Sequence, residues 1–258
     1  MARSRLNKYF RSVGRRLRGE SKPSNAERIN RQLPEASIDE AQMIADALEI
    51  SMTGPERMWA LLTAVDYVEA NSIPGDFVEC GVWKGGSTYL MARALHHLGG
   101  SARDIWLYDT FEGMPPPSDL DVRVGGRSAE ALLRESESEK HESLVWAVSP
   151  QEEVEENMRR SGYSFERFHF VKGLVEDTLE ATAPETVAIA RLDTDWYQST
   201  KHELEVLMPR MASGGVVIID DFGDWEGSRR AVEEYLETAP WKPFLQRIDH
   251  TGRAWVVR

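Results

Sequence analysis

Residues 77–88, 187–195 and 215–222 read FVECGVWKGGST, VAIARLDTD and GVVIIDDF. Each stretch is a short apolar run that gives way to glycine or aspartate, which is typical of a buried strand leading into a turn. Similar apolar runs lie at residues 105–108 and 168–171, and helical patterns separate the five runs. Strands that alternate with helices predict right-handed βαβ crossovers and a largely parallel sheet.

The end of the chain adds two strands to that sheet. Residues 244–248 and 254–257 are strand-like, and the turn between them is too short for a crossover, so we expect an antiparallel pair. The whole pattern predicts an α/β fold of the class I methyltransferase, Rossmann-like type, with a mostly parallel seven-stranded sheet and helices on both faces. In open sheets of this kind, ligands bind beyond the carboxyl ends of the strands.

The chain divides into three predicted segments. Residues 1–22 are a basic arm, residues 23–75 are a helical segment, and residues 76–258 are the methyltransferase-like domain. A polar, proline-rich stretch at about residues 113–150 interrupts this domain. So long an insertion in a compact domain is typical of a lid over a binding site or of a disordered segment.

Charge is unevenly distributed along the chain. The net charge is −12, but residues 1–22 carry +7 and the remainder carries −19. So acidic a body repels nucleic acid, and a nucleic-acid-binding domain is therefore excluded. Within the arm, Leu6, Phe10, Val13 and Leu17 recur at helical spacing. The arm is either an amphipathic helix that contacts an anionic membrane surface or a partner, or a basic tail with no such contact.

Composition excludes several other classes of protein. With 258 residues, 41% of them hydrophobic, the chain can bury a substantial core and is not disordered. No stretch approaches the ~20 apolar residues of a transmembrane helix, and we expect no secretory signal. The single cysteine, Cys80, excludes a disulfide scaffold or a cysteine zinc site and predicts a reducing cytoplasm. Monomer and homo-oligomer are both compatible with the sequence.

The first strand leads into a glycine-rich turn. A phosphate-binding loop would need lysine in place of Ser87, and a dinucleotide fingerprint would need glycine in place of Trp83. An acidic residue before an open turn suits a ligand with an ammonium and a carboxylate but no phosphate, such as S-adenosylmethionine. We predict that Glu79 faces the ammonium, that Gly81 leaves room for the cofactor, and that backbone N–H groups around Ser87 bind its carboxylate. The alternative is a glycine turn without a ligand.

Two further strand ends complete the predicted cofactor site. Asp109 follows the second strand, where an acidic residue can bind both hydroxyls of a ribose, although an ordinary turn aspartate is the alternative. After the third strand, we predict that Glu176 accepts a hydrogen bond from the adenine amino group and that Val175 packs on the adenine ring.

Four aspartates follow the fourth and fifth strands. They are Asp193, Asp195, Asp220 and Asp221. Adjacent parallel strands end at the same edge of a sheet, so these carboxylates meet there unless they point apart into water. Four like charges so close together are costly without a cation or protons. A hard divalent ion, most simply Mg²⁺, compensates them, and we predict Asp193, Asp220 and Asp221 as its ligands.

The predicted chemistry follows from the acidity of the acceptor. A sugar hydroxyl has a pKa of roughly 15, so its unaided deprotonation by a carboxylate would cost on the order of 15 kcal/mol. A metal ion that touches the acceptor oxygen lowers this pKa steeply. We predict Asp195 as the general base, with His202 as the second candidate, and methyl transfer by in-line displacement.

Four motifs together resemble the macrocin O-methyltransferase (TylF) family: DFVECGVWKGGST, LYDTFEGMP, RLDTDWYQST and GGVVIIDDF. The resemblance extends from about residue 51 to residue 236. Family members are metal-dependent sugar O-methyltransferases of antibiotic pathways. The resemblance implies S-adenosylmethionine as the methyl donor, Mg²⁺ on the three predicted ligands, Asp195 as the base, and a mobile lid formed by residues 113–150. It does not place the basic arm.

Three functions are compatible with the sequence. The first is a Mg²⁺-dependent O-methyltransferase acting on a small-molecule or glycan acceptor, at a hydroxyl of a glycosylated natural product, glycolipid or polysaccharide. The second is a catechol-type phenolic O-methyltransferase, and the third is a non-catalytic S-adenosylmethionine-binding protein. The complete set of carboxylates disfavours the third, because a domain relieved of catalysis could lose them, whereas the second uses a similar metal arrangement.

Overall fold

The computed structural model describes residues 23–99 and 102–258, so the arm predicted for residues 1–22 lies outside the described residues. The α-helices of the described part are α1 (Asn25–Gln32), α2 (Ile38–Ala47), α3 (Pro55–Ala70), α4 (Gly86–Leu98), α5 (Ala129–Glu135), α6 (Gln151–Arg159), α7 (Val175–Thr182), α8 (Tyr197–Leu207) and α9 (Glu226–Thr238). The strands are β1 (Asp76–Cys80), β2 (Ile105–Asp109), β3 (Val122–Arg123), β4 (Arg127–Ser128), β5 (Phe168–Lys172), β6 (Val187–Leu192), β7 (Met211–Ile219), β8 (Gln246–Arg247) and β9 (Arg253–Val256).

Seven strands form one sheet in the order β5-β2-β1-β6-β7-β9-β8. The first five are parallel, whereas β9 runs antiparallel to both β7 and β8. Helices pack on both faces of the sheet, and every residue of β6 is buried. The predicted fold class is therefore confirmed.

The last strand pair is shorter than predicted on its first side. We expected a strand over residues 244–248, but only Gln246–Arg247 pairs with β9. Phe244 is 86% exposed and lies directly after Pro243, which has no N–H to donate to a neighbouring strand. The segment before Gln246 therefore runs along the surface outside the sheet.

The N-terminal helices begin at clear sequence signals. Ser24 and Ser37 each cap a helix in a capping box, with Glu27 and Glu40 as the reciprocal partners. Helix α3 has Pro55 at its first position, where the missing N–H costs no hydrogen bond. Together α2 and α3 bury apolar side chains against α4 and the sheet, so this segment forms part of the main core.

The insertion of residues 113–150 has secondary structure of its own. It contains the β3–β4 hairpin and α5, and it is fastened to the start of α8 at two points. The indole Nε1–H of Trp196 donates to the carbonyl oxygen of Pro115 at 3.0 Å, and the backbone N–H of Tyr197 donates to Asp121 Oδ1 at 2.7 Å. Whether the segment opens and closes as a lid stays a prediction.

None of the helices in the described residues is both long and apolar enough to cross a lipid bilayer.

Candidate active site at the carboxyl edge of the sheet

A cavity of about 440 Å³ opens where the parallel strands end. Its volume lies within the range of sites that bind small molecules and cofactors. All ten residues predicted as site residues line it: Glu79, Gly81, Ser87, Asp109, Val175, Glu176, Asp193, Asp195, Asp220 and Asp221. His202, the second candidate base, is absent from this lining, so the geometry favours Asp195.

The glycine turn after β1 is built for close approach of backbone. Gly81 has φ +79°, and a Cβ atom there would lie 1.9 Å from the carbonyl oxygen of Asp193. Gly85, with φ +85°, is the N-cap of α4, and no side chain of the described residues caps this helix. The first N–H groups of α4 thus lack a side-chain acceptor at the cavity wall, and they suit the carboxylate of an amino-acid ligand.

Glu79 is almost completely buried at the floor of the cavity. Its Oε1 accepts a hydrogen bond from Arg191 Nη1 at 2.7 Å, and its Oε2 accepts one from the hydroxyl of Thr88. Burial raises the pKa of Glu79, whereas Arg191 and Thr88 oppose that rise. The predicted contact with an ammonium group would add a third partner to this carboxylate.

Asp109 fastens the glycine turn from the neighbouring strand. Its Oδ2 accepts hydrogen bonds from the backbone N–H groups of Val82 at 2.6 Å and Trp83 at 3.0 Å, and its Oδ1 accepts one from Phe111 at 2.7 Å. Burial raises the pKa of Asp109 despite these bonds. The sequence predicted a ribose contact for Asp109 but not this second task of holding the turn.

The remaining predicted cofactor residues begin a helix at the same edge. Val175 and Glu176 are the first two residues of α7, next to the exposed Leu174 on the cavity wall. Val175 is 5% exposed and packs into the core beneath the cavity, whereas Glu176 is half-buried. This arrangement suits one wall of a flat, partly apolar ligand such as an adenine ring.

The aspartates converge as predicted. One oxygen from each of Asp193, Asp220 and Asp221 lies within 4.8 Å of the others, and Asp220 and Asp221 are buried. Three hard oxygen donors at this spacing fit Mg²⁺, which binds carboxylates in preference to softer ligands. Burial, reinforced by the neighbouring carboxylates, raises the pKa of Asp193 and of Asp221 well above the usual range. The cluster therefore favours a bound cation.

Two arginines that the sequence analysis gave no role share these carboxylates. Arg191 lies 2.6 Å from Asp193 Oδ2 through Nη1 and 2.5 Å from Asp220 Oδ1 through Nη2. Arg57, from α3, pairs with Asp220 Oδ2 and lies 3.1 Å from Asp249 Oδ2. Glu79, Asp195 and Asp221 lie at the same site as the three aspartates that pair with these arginines. The carboxyl groups therefore outnumber the two guanidinium groups, and the site has room for the positive charge of a divalent ion.

One of these arginines could have been found in the sequence. Arg191 is the only charged residue in the apolar run VAIARL, and a charge in a buried strand requires a partner. Its Cα pairs with Glu79 in β1, and alternation along the strand places Asp193 on the same face of the sheet. Arg57 carries no such signal, because its contact with Asp220 depends on how α3 packs against the sheet.

Asp195 occupies an unusual backbone conformation beside the cluster. Its φ is +65°, and its N–H donates to Asp221 Oδ2 at 3.2 Å. Burial, reinforced by the negative charge of Asp193, raises the pKa of Asp195 to about 7. A carboxylate with a pKa near neutrality is a far better proton acceptor than an ordinary aspartate.

One side of the cavity is lined by large apolar side chains. Trp196 and Trp225 pack edge to face, with ring centroids 4.8 Å apart, and both line the cavity. Leu144 and Val145, from the insertion, also line it and are exposed by 65% and 36%. Exposed apolar side chains at a cavity rim mark a surface for a ligand with apolar parts. Trp146, also in the insertion, donates its indole N–H to the carbonyl oxygen of Leu133 at 3.2 Å.

Sequence comparison relates the chain to enzymes of known activity. The model of the family described as macrocin O-methyltransferase (TylF) matches residues 12–256. The chain is 37% identical over 205 residues to the 8-demethyl-8-(2,3-dimethoxy-alpha-L-rhamnosyl)-tetracenomycin-C 4'-O-methyltransferase of Streptomyces olivaceus, covering 80% of this chain and 74% of that protein. It is 35% identical to the demethyldecarbamoylnovobiocin O-methyltransferase of Streptomyces niveus, with the same coverage.

Solved structures give the same relationship. The O-methyltransferase NovP superimposes with a TM-score of 0.70 and 33% sequence identity, covering 81% of this chain and 82% of that one. CalS11, a calicheamicin methyltransferase, superimposes with a TM-score of 0.59 over 93% of this chain and 96% of its own. Its 20% identity supports the shared fold alone.

Proposed function

From the premise that the chain belongs to the macrocin O-methyltransferase (TylF) family and is an S-adenosylmethionine-dependent O-methyltransferase, we propose a more specific function. The protein methylates a sugar hydroxyl of a glycosylated small molecule with the help of Mg²⁺. The observation that carries this proposal is that a single cavity is lined by the glycine turn, the aspartate cluster and Asp195. The printed names of the relatives support the acceptor class, since one acts on a rhamnosyl group attached to tetracenomycin.

The cofactor half of the cavity supplies positioning. In this proposal, the N-terminus of α4 at Ser87 binds the carboxylate of S-adenosylmethionine, Glu79 faces its ammonium, and Asp109 binds the ribose. Val175 and Glu176 hold the adenine. Bound S-adenosylmethionine supplies the electrophilic methyl group, and the residues around it fix the direction from which the acceptor approaches.

The metal half of the cavity supplies acidity. Asp193, Asp220 and Asp221 would hold Mg²⁺, as their spacing of 4.8 Å or less supports. Bound Mg²⁺ would lower the pKa of an acceptor hydroxyl and orient a vicinal diol. Arg191 and Arg57 hold Asp220 from two sides and so restrict its rotation.

Asp195 completes the reaction as general base. Its carboxylate takes the proton from the acceptor hydroxyl, and the hydroxyl oxygen attacks the methyl carbon in line with the carbon–sulfur bond. Bound S-adenosylmethionine would supply the methyl group: the O–CH₃ bond would form as the S–CH₃ bond breaks, and the electron pair of the S–CH₃ bond would stay on the sulfur of S-adenosylhomocysteine. Asp195 is half-buried and lines the cavity, where an acceptor hydroxyl can reach it.

The first experiment combines binding with turnover. S-adenosylhomocysteine is titrated calorimetrically into the protein with Mg²⁺ and with EDTA, and methyl transfer from labelled S-adenosylmethionine is then measured on a panel of rhamnosyl glycosides and catechols. We expect micromolar binding under both conditions, and transfer to a glycoside that EDTA abolishes and Mg²⁺ restores.

Each other outcome points elsewhere. Transfer to catechols alone would favour a phenolic O-methyltransferase, and turnover that survives EDTA would remove the metal from the proposal. Binding with no turnover on any acceptor would favour a non-catalytic cofactor-binding protein. Absence of binding under both conditions would contradict the assignment of the cofactor site.

The basic arm of residues 1–22 supports one further proposal, which is contact with an anionic membrane surface. Deleting it should reduce sedimentation with vesicles of anionic phospholipid and leave turnover of a water-soluble acceptor unchanged. Loss of turnover would instead place the arm in the active site or in an oligomer contact. A reducing cytoplasmic setting is supported by the single cysteine, Cys80, which is free and buried.

A further inference from the structure

A completely buried carboxyl group lies beneath the cavity and has no part in the chemistry described above. Glu203, on α8, has 0% of its surface exposed and occupies a position on the buried face of that helix where the other large residues are apolar. A carboxyl group in such a place costs free energy unless it makes specific hydrogen bonds. Its partners therefore indicate why it is there.

Those partners are the ends of two neighbouring strands. Thr194 donates its hydroxyl to Glu203 Oε1 at 2.9 Å, and Thr194 stands between Asp193 and Asp195 in the turn after β6. The carboxyl group is also near the thiol of Cys80, the last residue of β1, although its Oε2 has no hydrogen-bond partner within the described residues. Glu203 is thus bonded to the turn after β6 and lies next to the end of β1, which leads into the glycine turn, called here the cofactor turn.

The same two turns are in direct backbone contact. The N–H of Asp193 donates to the carbonyl oxygen of Cys80 at 2.9 Å, and there is no room for a side chain at Gly81 because the carbonyl group of Asp193 occupies that space. A shift of Thr194 would therefore move Asp193 and Asp195 relative to the cofactor turn. The N–H of Trp196 donates to the carbonyl oxygen of Thr194 at 2.7 Å and closes the turn on its other side.

We propose that Glu203 is a positioning residue, which through the Thr194 hydroxyl holds the turn that carries the metal ligand Asp193 and the base Asp195. The inference rests on the proposed function, because Glu203 can position Asp193 and Asp195 for the reaction only if these aspartates are the metal ligand and the base. The backbone conformation of Asp195 explains why the turn needs this support. A residue other than glycine keeps a φ of +65° only where the surrounding structure stabilises it.

The hydrogen bond from Thr194 requires only an acceptor oxygen at this position. Burial raises the pKa of Glu203 well above its usual range, and the charges of Glu176 and Asp221 add to that rise, although Thr194 and Cys80 oppose it. A neutral glutamine has the same shape and can accept the same hydrogen bond from Thr194. The conservative variant Glu203→Gln should therefore restore what an apolar variant loses.

The test measures binding of Mn²⁺ as a probe for the metal site. Mn²⁺ and S-adenosylhomocysteine are titrated separately into the full chain and into the variants Glu203→Gln, Glu203→Leu, Thr194→Val and the double variant Glu203→Leu/Thr194→Val. We expect Glu203→Leu and Thr194→Val each to weaken Mn²⁺ binding about 10-fold or more, as is usual when the residue that supports a metal ligand is removed. Glu203→Gln should stay within about 3-fold of the parent protein.

The double variant shows whether the two residues act as one unit. If the Glu203–Thr194 hydrogen bond is responsible for the loss of Mn²⁺ affinity, the double variant should bind Mn²⁺ as tightly as the weaker-binding single variant. Either single substitution already removes this bond, so the second substitution causes no further loss. Affinity for S-adenosylhomocysteine should be nearly unchanged in Thr194→Val. Thr63→Val is the matched control, since it removes a half-buried hydroxyl whose hydrogen bonds, within the described residues, go to the backbone of α3.

Several results would overturn the inference. Wild-type Mn²⁺ affinity in both Thr194→Val and Glu203→Leu would do so, and so would effects that add in the double variant. If Glu203→Leu fails to fold, Thr194→Val decides alone, because it exchanges a hydroxyl for a methyl group. Failure of the parent protein to bind Mn²⁺ or S-adenosylhomocysteine would instead contradict the proposed function, so the two failures are distinguishable.

Discussion

Asp109, at the end of β2, fixes Val82 in the turn after the neighbouring strand β1: its Oδ2 accepts a hydrogen bond from the Val82 N–H at 2.6 Å. The same oxygen also accepts from Trp83, which has φ +48°. A carboxylate predicted to bind the cofactor therefore also shapes the turn on which the cofactor is proposed to lie. Removing it should affect stability and cofactor binding together.

Asp109→Ala tests this double role. We expect the free energy of unfolding to fall by about 2–4 kcal/mol, because three backbone N–H groups lose a charged acceptor. We also expect affinity for S-adenosylhomocysteine to fall at least ~10-fold, because the turn and the ribose both lose their partner. Urea denaturation and calorimetric titration measure the two effects.

Asp76→Ala is the matched control. Asp76 accepts hydrogen bonds from Trp106 Nε1 at 3.1 Å and from the Asp104 N–H at 3.3 Å, at the opposite end of the same two strands. It should lose stability but retain affinity for S-adenosylhomocysteine. An Asp109→Ala protein that binds S-adenosylhomocysteine normally would remove Asp109 from the cofactor site.

Arg191→Met tests whether a single guanidinium is needed to hold three carboxylates. Burial lowers the pKa of Arg191, but Asp193, Asp220 and Glu79 raise it far more, so this group is charged at every pH of interest. Removing it leaves buried carboxylates unpaired, and we expect a loss of about 3–5 kcal/mol in the free energy of unfolding. Cofactor affinity should fall as well, because Glu79 loses its partner.

Two comparisons separate these effects. Arg191→Lys keeps the charge but cannot reproduce contacts made through two guanidinium nitrogens, so it should recover only part of the stability. Arg103→Met removes a buried arginine that pairs with Glu69 far from the cavity. That control should lose stability without losing affinity for S-adenosylhomocysteine, and an equal loss of affinity in both variants would contradict a specific role for Arg191.

The strand ends that form the site were predictable, because the last residue of each apolar run marks where the strand ends. Asp109, Asp193 and Asp220 each follow such a run, and parallel strands bring their ends to one edge whatever their register. The glycines were predictable for a similar reason, since a turn with close backbone contact needs them. These signals are local, and a single sequence contains them in full.

The partners of the aspartates were not predictable in the same way. Arg57 contacts Asp220 because of the position at which α3 packs against the sheet. Glu203 contacts Thr194 because α8 runs beneath the cavity. Helical periodicity shows which face of a helix is buried but not which strand end lies opposite. The charge in the run VAIARL indicates that Arg191 has a buried partner, but it does not identify that partner.

Asp195→Asn tests the general base. Asparagine tolerates the left-handed backbone conformation that Asp195 adopts, so the variant should fold and keep the turn intact. We expect turnover of the acceptor found in the panel to fall ~100-fold or more, with affinity for S-adenosylhomocysteine and Mn²⁺ nearly unchanged. Asp177→Asn, which alters an exposed aspartate on α7, is the control for loss of one charge. Turnover within about 3-fold of the parent protein would show that Asp195 is not the base.

The ion pair between Arg57 and Asp249 predicts a pH dependence of stability. Partial burial by itself would raise the pKa of Asp249, but hydrogen bonds from the Gly252 and Thr251 N–H groups and the charge of Arg57 outweigh it, so the pKa is lowered. An aspartate in an unfolded chain titrates at about 3.9. Because the folded protein has the lower pKa, this stabilisation is complete above ~pH 5 and is lost as the pH falls through the folded pKa.

Asp249→Asn isolates this effect, because the amide oxygen can still accept from the Gly252 and Thr251 N–H groups while the charge is gone. Urea denaturation of both proteins between ~pH 7 and ~pH 3 should give a difference in the free energy of unfolding that is constant above ~pH 5 and shrinks in acid. Asp39→Asn, at an exposed position on α2, accounts for the general effect of net charge. A difference that persists undiminished at ~pH 3 would show that the charge of Asp249 is not what stabilises the folded protein.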